Sequence, residues 1–248
     1  MNIRTSAMFL VLLLSFNSTR AQDTLIVDNG KPYPNIVKVS LTNSLLYNNA
    51  VQLLYERVLN KKRSFVLFGG YEEFPLDIKL VRSDVNLGRS VSKSGFSAGF
   101  EYRFYLAKEN KYHAPRGVFI APFVSYHGFK GERIVNDSAH TQSVTLNTTV
   151  GFGNIGASLG YQFVLWKRFV IDAVMFGPAI TSYRFKAKMD GHIDGIEDNE
   201  LLQDIIDAMK EKLPVLERLT EGGEINSSGV ESFWSGGFRY NISIGYRF

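Results

Sequence analysis

Residues Trp234 to Phe248 read WSGGFRYNISIGYRF. Counting back from the carboxyl end, Phe248, Tyr246, Ile244, Ile242, Tyr240, Phe238 and, past Gly236, Trp234 are apolar or aromatic. Between them stand Arg247, Gly245, Ser243, Asn241, Arg239, Gly237 and Ser235. Successive side chains of a strand point to opposite faces. This period of two therefore predicts a strand with one greasy face ending in aromatics and one face carrying two arginines among small polar residues. A strand this long with aromatics at both ends matches one that faces lipid, where interfacial rings flank an apolar band.

The same alternation recurs along the chain. From Ile36, the residues Val37, Val39, Leu41 and Leu45 share one face and Lys38, Ser40, Thr42 and Ser44 the other. After a break at Tyr47-Asn48-Asn49, Val51, Leu53 and Tyr55 alternate with Gln52, Leu54 and Glu56 over residues 50–59. A helix is the rival reading there, since Val51, Leu54, Tyr55 and Val58 also fit a helical period. A third strand reads at 64–74, with Phe65, Leu67, Gly69 and Tyr71 on one face. A fourth reads at 95–105, where Phe96, Ala98, Phe100, Tyr102 and Phe104 oppose Ser97, Gly99, Glu101 and Arg103. Residues 117–129 follow, then 145–166, whose apolar set passes from Val150 and Phe152 to Ile155, Ala157, Leu159, Tyr161, Phe163 and Leu165. A bulge near Gly153-Asn154 is expected to cause that change of phase. Residues 169–186 form a seventh strand, with Asp172 fixing its polar face, and 234–248 the eighth.

The connections after the second and sixth strands are short, the one after the fourth moderate, and those after the third, fifth and seventh longer; the short break after the first is the exception. The last long connection, about 187–229, holds an amphipathic helix over Glu197 to Leu219 with the apolar stripe Leu201, Leu202, Ile205, Ile206, Met209 and Leu213, which Pro214 is expected to end or kink. Short turns at one end and long loops at the other predict an all-β fold, an eight-stranded antiparallel up-and-down transmembrane β-barrel with one helix in the last long loop.

Composition narrows the class. Arg4, the apolar run Met8 to Phe16 and Thr19-Arg20-Ala21 read as a secretory signal peptide over residues 1–21, leaving 22–35 as an extended leader and 36–248 as the barrel. Mean hydropathy is -0.06, and no internal apolar run approaches the roughly 18 residues of a membrane helix. The chain has no cysteine, which removes disulfides, cysteine metal sites and a cysteine nucleophile. Its net charge of +4 is too small for a nucleic-acid footprint. No cofactor is implied. Glu197, Asp198, Glu200 and Asp204 lack the spacing of a calcium loop, so no metal site is read there.

An eight-stranded barrel is only wide enough for its own side chains. The alternation turns Lys38, Glu56, Glu101, Arg103, Asp172, Arg239 and Arg247 inward, and buried charges of both signs have to pair. A plug follows rather than an ion path. His127, two residues from Ser125, is geometrically able to share a face with it. The surrounding residues depart from the His-x-Ser-Asn pattern of lipid A deacylases, and a non-enzymatic protein is the expectation.

Three strands close on similar tetrapeptides, Glu101-Tyr102-Arg103-Phe104, Gly160-Tyr161-Gln162-Phe163 and Gly245-Tyr246-Arg247-Phe248. With the alternation and the terminal phenylalanine, they make residues 36–248 resemble the small outer-membrane barrels of the OmpA, OmpX and OmpW type. That resemblance implies a Gram-negative outer-membrane location and contact with membrane lipid and lipopolysaccharide. It also makes Ile244, Tyr246 and Phe248 the signal read by the outer-membrane assembly machinery. The expected role is structural or interactive, exerted through the outer loops, with another envelope protein as a candidate partner of the loop helix. A narrow carrier for small hydrophobic molecules is the alternative, and a lipid A hydrolase the third reading.

Overall fold

A two-faced strand has to satisfy the hydrogen-bonding groups along both of its edges, and this chain does so by closing on itself. The computed structural model describes residues 33–74, 85–106, 112–137, 143–190 and 230–248. The strands are β1 (Asn35–Ser40), β2 (Asn48–Asn60), β3 (Arg63–Glu73), β4 (Val85–Tyr105), β5 (Gly117–Asp137), β6 (Ser143–Leu165), β7 (Phe169–Asp190) and β8 (Val230–Arg247), with one short helix, α1 (Leu41–Leu46). Each strand is antiparallel to the next, and β1 pairs with β8 to complete a closed barrel. Asn35 and Phe248 exchange both backbone hydrogen bonds, at 3.1 and 2.8 Å. The signal peptide, most of the leader, the loop helix and the acidic cluster lie outside the described residues.

The rival helical reading of 50–59 gives way to strand β2. The facing follows the alternation. Val37, Val39, Leu53, Tyr55, Phe100, Phe104, Ile242, Ile244 and Tyr246 are exposed on the outside, while Lys38, Glu56, Glu101, Arg103 and Asp172 are buried within. In two of the repeated tetrapeptides the outward rings lean on each other, Tyr102 with Phe104 at 5.0 Å and Tyr161 with Phe163 at 4.4 Å.

Three details depart from the sequence reading. First, β1 stops at Ser40, and the next six residues are helical. Ser40 caps them, its side-chain oxygen accepting from the Asn43 amide at 3.1 Å, an arrangement that competes with strand continuation. Second, β6 has no bulge at Gly153-Asn154; its pairing with β5 runs without a shift from Ser143 to Gln162. The extra residue lies on β7 instead, between Val174 and Gly177, where Met175 and Phe176 are both exposed. The change of phase on β6 has another cause: the apolar side swaps while the facing stays constant. Towards the loop end, Val135, Val144, Leu146 and Phe185 are buried inside, and Thr149, Arg184, Lys186 and Lys188 lie on the opposite, outward side. Third, β4, β5, β7 and β8 run beyond the alternating segments, because ladder pairing continues where the side-chain pattern no longer marks an apolar outer face.

The closure is directly testable because the chain lacks native cysteine. Val39→Cys with Ile244→Cys, which face each other across β1 and β8, should crosslink on oxidation, since opposed Cα atoms about 5.5 Å apart suit a disulfide. Val39→Cys with Tyr246→Cys should crosslink far less; equal yields on non-reducing gels would contradict the register.

Candidate functional site: a charged plug and the pocket above it

Five strands bring three cations and three carboxylates to the middle of the lumen. The Lys38 ammonium of β1 bonds Glu56 of β2 at 2.7 Å and also Asp172 of β7. Arg103 of β4 binds its neighbour Glu101, places Nη2 2.8 Å from Asp172 and Nη1 3.5 Å from Glu56, and donates to Gln162 Oε1 at 2.6 Å. Arg239 of β8 reaches Glu101 at 2.6 Å. The second oxygen of Glu56 accepts from Ser64 at 2.6 Å and Tyr105 at 3.0 Å. The charges sum to zero. Removing two ions from water costs several kcal/mol each, so such a group persists in a dry lumen only when each member has close partners.

Aromatic rings enclose the plug. The Arg103 guanidinium lies 4.0 Å from the Phe119 ring, and that of Arg239 lies between Phe68 at 5.0 Å and Phe123 at 4.7 Å. Two inward glycines make the room. A Cβ at Gly99 would collide with the Phe68 ring, and one at Gly245 would collide with the stem of Lys38.

Towards the loop end lies a cavity of about 200 Å³ with Arg239 among its lining residues. Behind two of its lining residues, His127 and Asn43, stands a second buried polar group. Glu72, fully buried, is held by His127 Nδ1 at 2.6 Å and by the side-chain amide of Asn43 in α1 at 2.8 Å. His127 stacks between Tyr47 at 6.0 Å and Phe152 at 4.7 Å. Ser125 accepts from Asn154 at 3.0 Å, and Asn154 in turn accepts from Thr181 at 2.7 Å. The bonds that Ser125 and His127 make among the described residues go to Asn154 and Glu72, and not to each other.

Of the seven charges read as facing inward, the structure brings Lys38, Glu56, Glu101, Arg103, Asp172 and Arg239 into one network. Arg247 sits elsewhere: four residues beyond Ser243, the β8 partner of Asp172, and so about 13 Å further along the strand. There its Nε donates to the Tyr33 carbonyl at 2.5 Å. Ile244, Tyr246 and Phe248 line the outer face of β8, and the Tyr246 hydroxyl accepts from Arg168 at 2.6 Å. Leu201, Leu202, Ile205, Ile206, Met209 and Leu213 are outside the described residues.

Sequence reading missed the neutral members, Ser64, Tyr105 and Gln162, because charge was the criterion. It also missed Glu72, although Phe65, Leu67, Gly69 and Tyr71 already fixed even positions of β3 as inward. Among the described residues no cluster of three or more metal-ligating side chains occurs.

No family model matches the chain, and no curated protein matches it. Among solved structures, a major outer membrane protein from Thermus thermophilus overlaps with 8% identity, covering 86% of this chain and 98% of that one, at a TM-score of 0.37. An overlap this loose carries no argument.

The plug predicts a contrast between two substitutions. Lys38→Met leaves Glu56 and Asp172 short of a cation and should destabilise the barrel by about 3–5 kcal/mol. The Ser243 hydroxyl is buried without a partner among the described residues, so Ser243→Ala should change stability by no more than about 0.5 kcal/mol. Urea unfolding in detergent, followed by tryptophan fluorescence, measures both.

Proposed function

We propose that this chain is a non-enzymatic integral outer-membrane β-barrel with a structural or interaction role. Its lumen is closed by the charge network, and its loop end serves as the contact surface for lipopolysaccharide or another envelope protein. The observation that carries the reading is the reversal of polarity across the wall: a ring of exposed aliphatic and aromatic side chains surrounds a buried set of balanced charges. In water this arrangement would expose a large continuous apolar surface, whereas in a bilayer it places each class of group in a medium that suits it. Residues 1–21 supply the export signal, and Ile244, Tyr246 and Phe248 the assembly signal.

The closed lumen supports the interaction role over transport. Arg103 makes contacts with Glu56, Glu101 and Asp172 together, so opening a path would separate several buried ion pairs at once. A carrier or a lipid hydrolase finds less support, the first because the path is obstructed and the second because Ser125 and His127 bond Asn154 and Glu72 rather than each other.

The purified protein should float with phosphatidylcholine vesicles in a density gradient and migrate differently on gels before and after boiling. In planar bilayers it should give no steady conductance. Stable channels of nanosiemens size would overturn the plugged reading, and failure to enter vesicles would overturn the membrane reading.

A further inference from the structure

β1 meets the last strand from Asn35 to Ser40, opposite Phe248 to Ser243. Above Ser243, β8 runs on to Val230 paired with β7 alone. β2 has no β1 partner above Leu53 either. Among the described residues the wall therefore has a gap between β8 and β2. α1 sits in this gap and ties off both margins: the Thr42 hydroxyl accepts from the Ile242 amide at 2.8 Å, and the Ser44 hydroxyl donates to the Ala50 carbonyl at 3.1 Å. Its Leu45 is exposed on the outside, and Thr42 and Asn43 are buried on the inside. Six residues of helix span only about 9 Å, so the margin of β8 continues past it. The Phe248 and Ile242 amides both point to the β1 side. By strand alternation the backbone groups of Tyr240, Phe238 and Gly236 point to the same side, towards the gap.

The cavity reaches this margin. Leu46 and Tyr47 of the α1 end, together with Phe238 and Tyr240, are among its lining residues, although the last two have exposed side chains on the outer face. Phe238 lies eight residues from Tyr246. With a strand rise of about 3.3 Å and a tilt near 40°, that is roughly 20 Å up a band about 25 Å tall. The gap thus opens in the outer half of the apolar belt.

We propose that the cavity and the gap form a binding site for a single-chain fatty acid from the outer leaflet, its carboxylate held inside and its chain leaving between α1 and β8. This rests on the membrane-spanning reading above. Size argues for a divided ligand: about 200 Å³ is below the roughly 300 Å³ at which pockets enclose drug-sized molecules. The cavity takes a head and a few carbons, and the rest has to lie in the belt. Hydrogen-bond donors select the head. The Arg239 guanidinium lines the cavity, with no carboxylate among the described lining residues, and His127, Asn154, Thr181 and Asn241 add hydrogen-bonding groups. Glu72 and Glu101 stand behind it, bonded to His127 and to Arg239. Because the plug is the floor, the site retains a ligand and does not conduct it.

Radiolabelled dodecanoate, added to the full-length barrel in phosphatidylcholine nanodiscs, should bind saturably at one per barrel above empty nanodiscs. Dodecanol and dodecyltrimethylammonium should compete at least about tenfold less well, a difference of about 1.4 kcal/mol. Ala179→Phe and, separately, Thr181→Leu fill the cavity from positions outside the charge network, and each should weaken binding at least about tenfold. A gel mobility shift on boiling verifies that each variant is a barrel. Equal competition by dodecanol, or unchanged binding in a folded cavity variant, would overturn the proposal. Normal vesicle insertion with no saturable dodecanoate sinks this inference alone, whereas failure to insert sinks the membrane reading beneath it.

Discussion

Every backbone N–H and C=O that enters a lipid phase has to be satisfied within the chain, and a sheet meets that demand only by losing its edges. On the membrane-spanning reading proposed above, the ring of eight paired strands answers that demand, and the dimensions of the lumen follow from the strand number. A lumen so narrow leaves no space for bulk water, which forces Lys38, Arg103 and Arg239 against Glu56, Glu101 and Asp172. The glycines are set by the same geometry. Gly245 is the β8 residue opposite Lys38, and the lysine stem occupies the space its side chain would have filled.

Polarity along the barrel axis changes in two stages. In the belt, aliphatic and aromatic groups face out and charges face in. Towards the loop end the assignment reverses, with Val135, Val144, Leu146 and Phe185 forming an interior of ordinary globular character. Between the two stages lie the cavity and the Glu72–His127 pair, where neither rule dominates. This transition is a natural place for a polar site, because the charged floor and the aromatic wall are supplied by the two stages on either side.

The parity of the strands was legible because one face of each is compelled to be apolar. Trp234 to Phe248 alone gave the facing of β8, and Phe65, Leu67, Gly69 and Tyr71 that of β3. What failed to show depended on local competition or on pairing across strands. Leu41 and Leu45 fit an extended alternation as well as they fit one face of a short helix. Only the Ser40 side chain, accepting from Asn43, decides between them. Val150 and Phe152 suggested a bulge because apolar was equated with outward, an equation that holds in the belt and fails above it. The real bulge on β7 is masked in sequence, since Met175 and Phe176 are both apolar and both outward. Neutral members of the plug share the inward parity of the charged ones, but nothing in the sequence names their partners. Gln162 and Tyr105 reveal their places only through the distances to Arg103 and Glu56.

The short β1 links these observations. A first strand as long as β8 would have sealed the wall, removed the gap and left α1 without a position. Instead the chain gives up six residues of ladder and replaces them with a helix whose hydroxyls tie one bond to each margin. Among the described residues, two hydroxyl contacts substitute for only part of a row of backbone bonds at the neighbouring β8 margin. Any group that fills it gains from excluding lipid there as well as from its own contacts. On that ground the proposed ligand would be favoured at this margin over a place at random on the outer face. The same incompleteness that weakens the wall also brings the cavity into contact with the outer surface of β8.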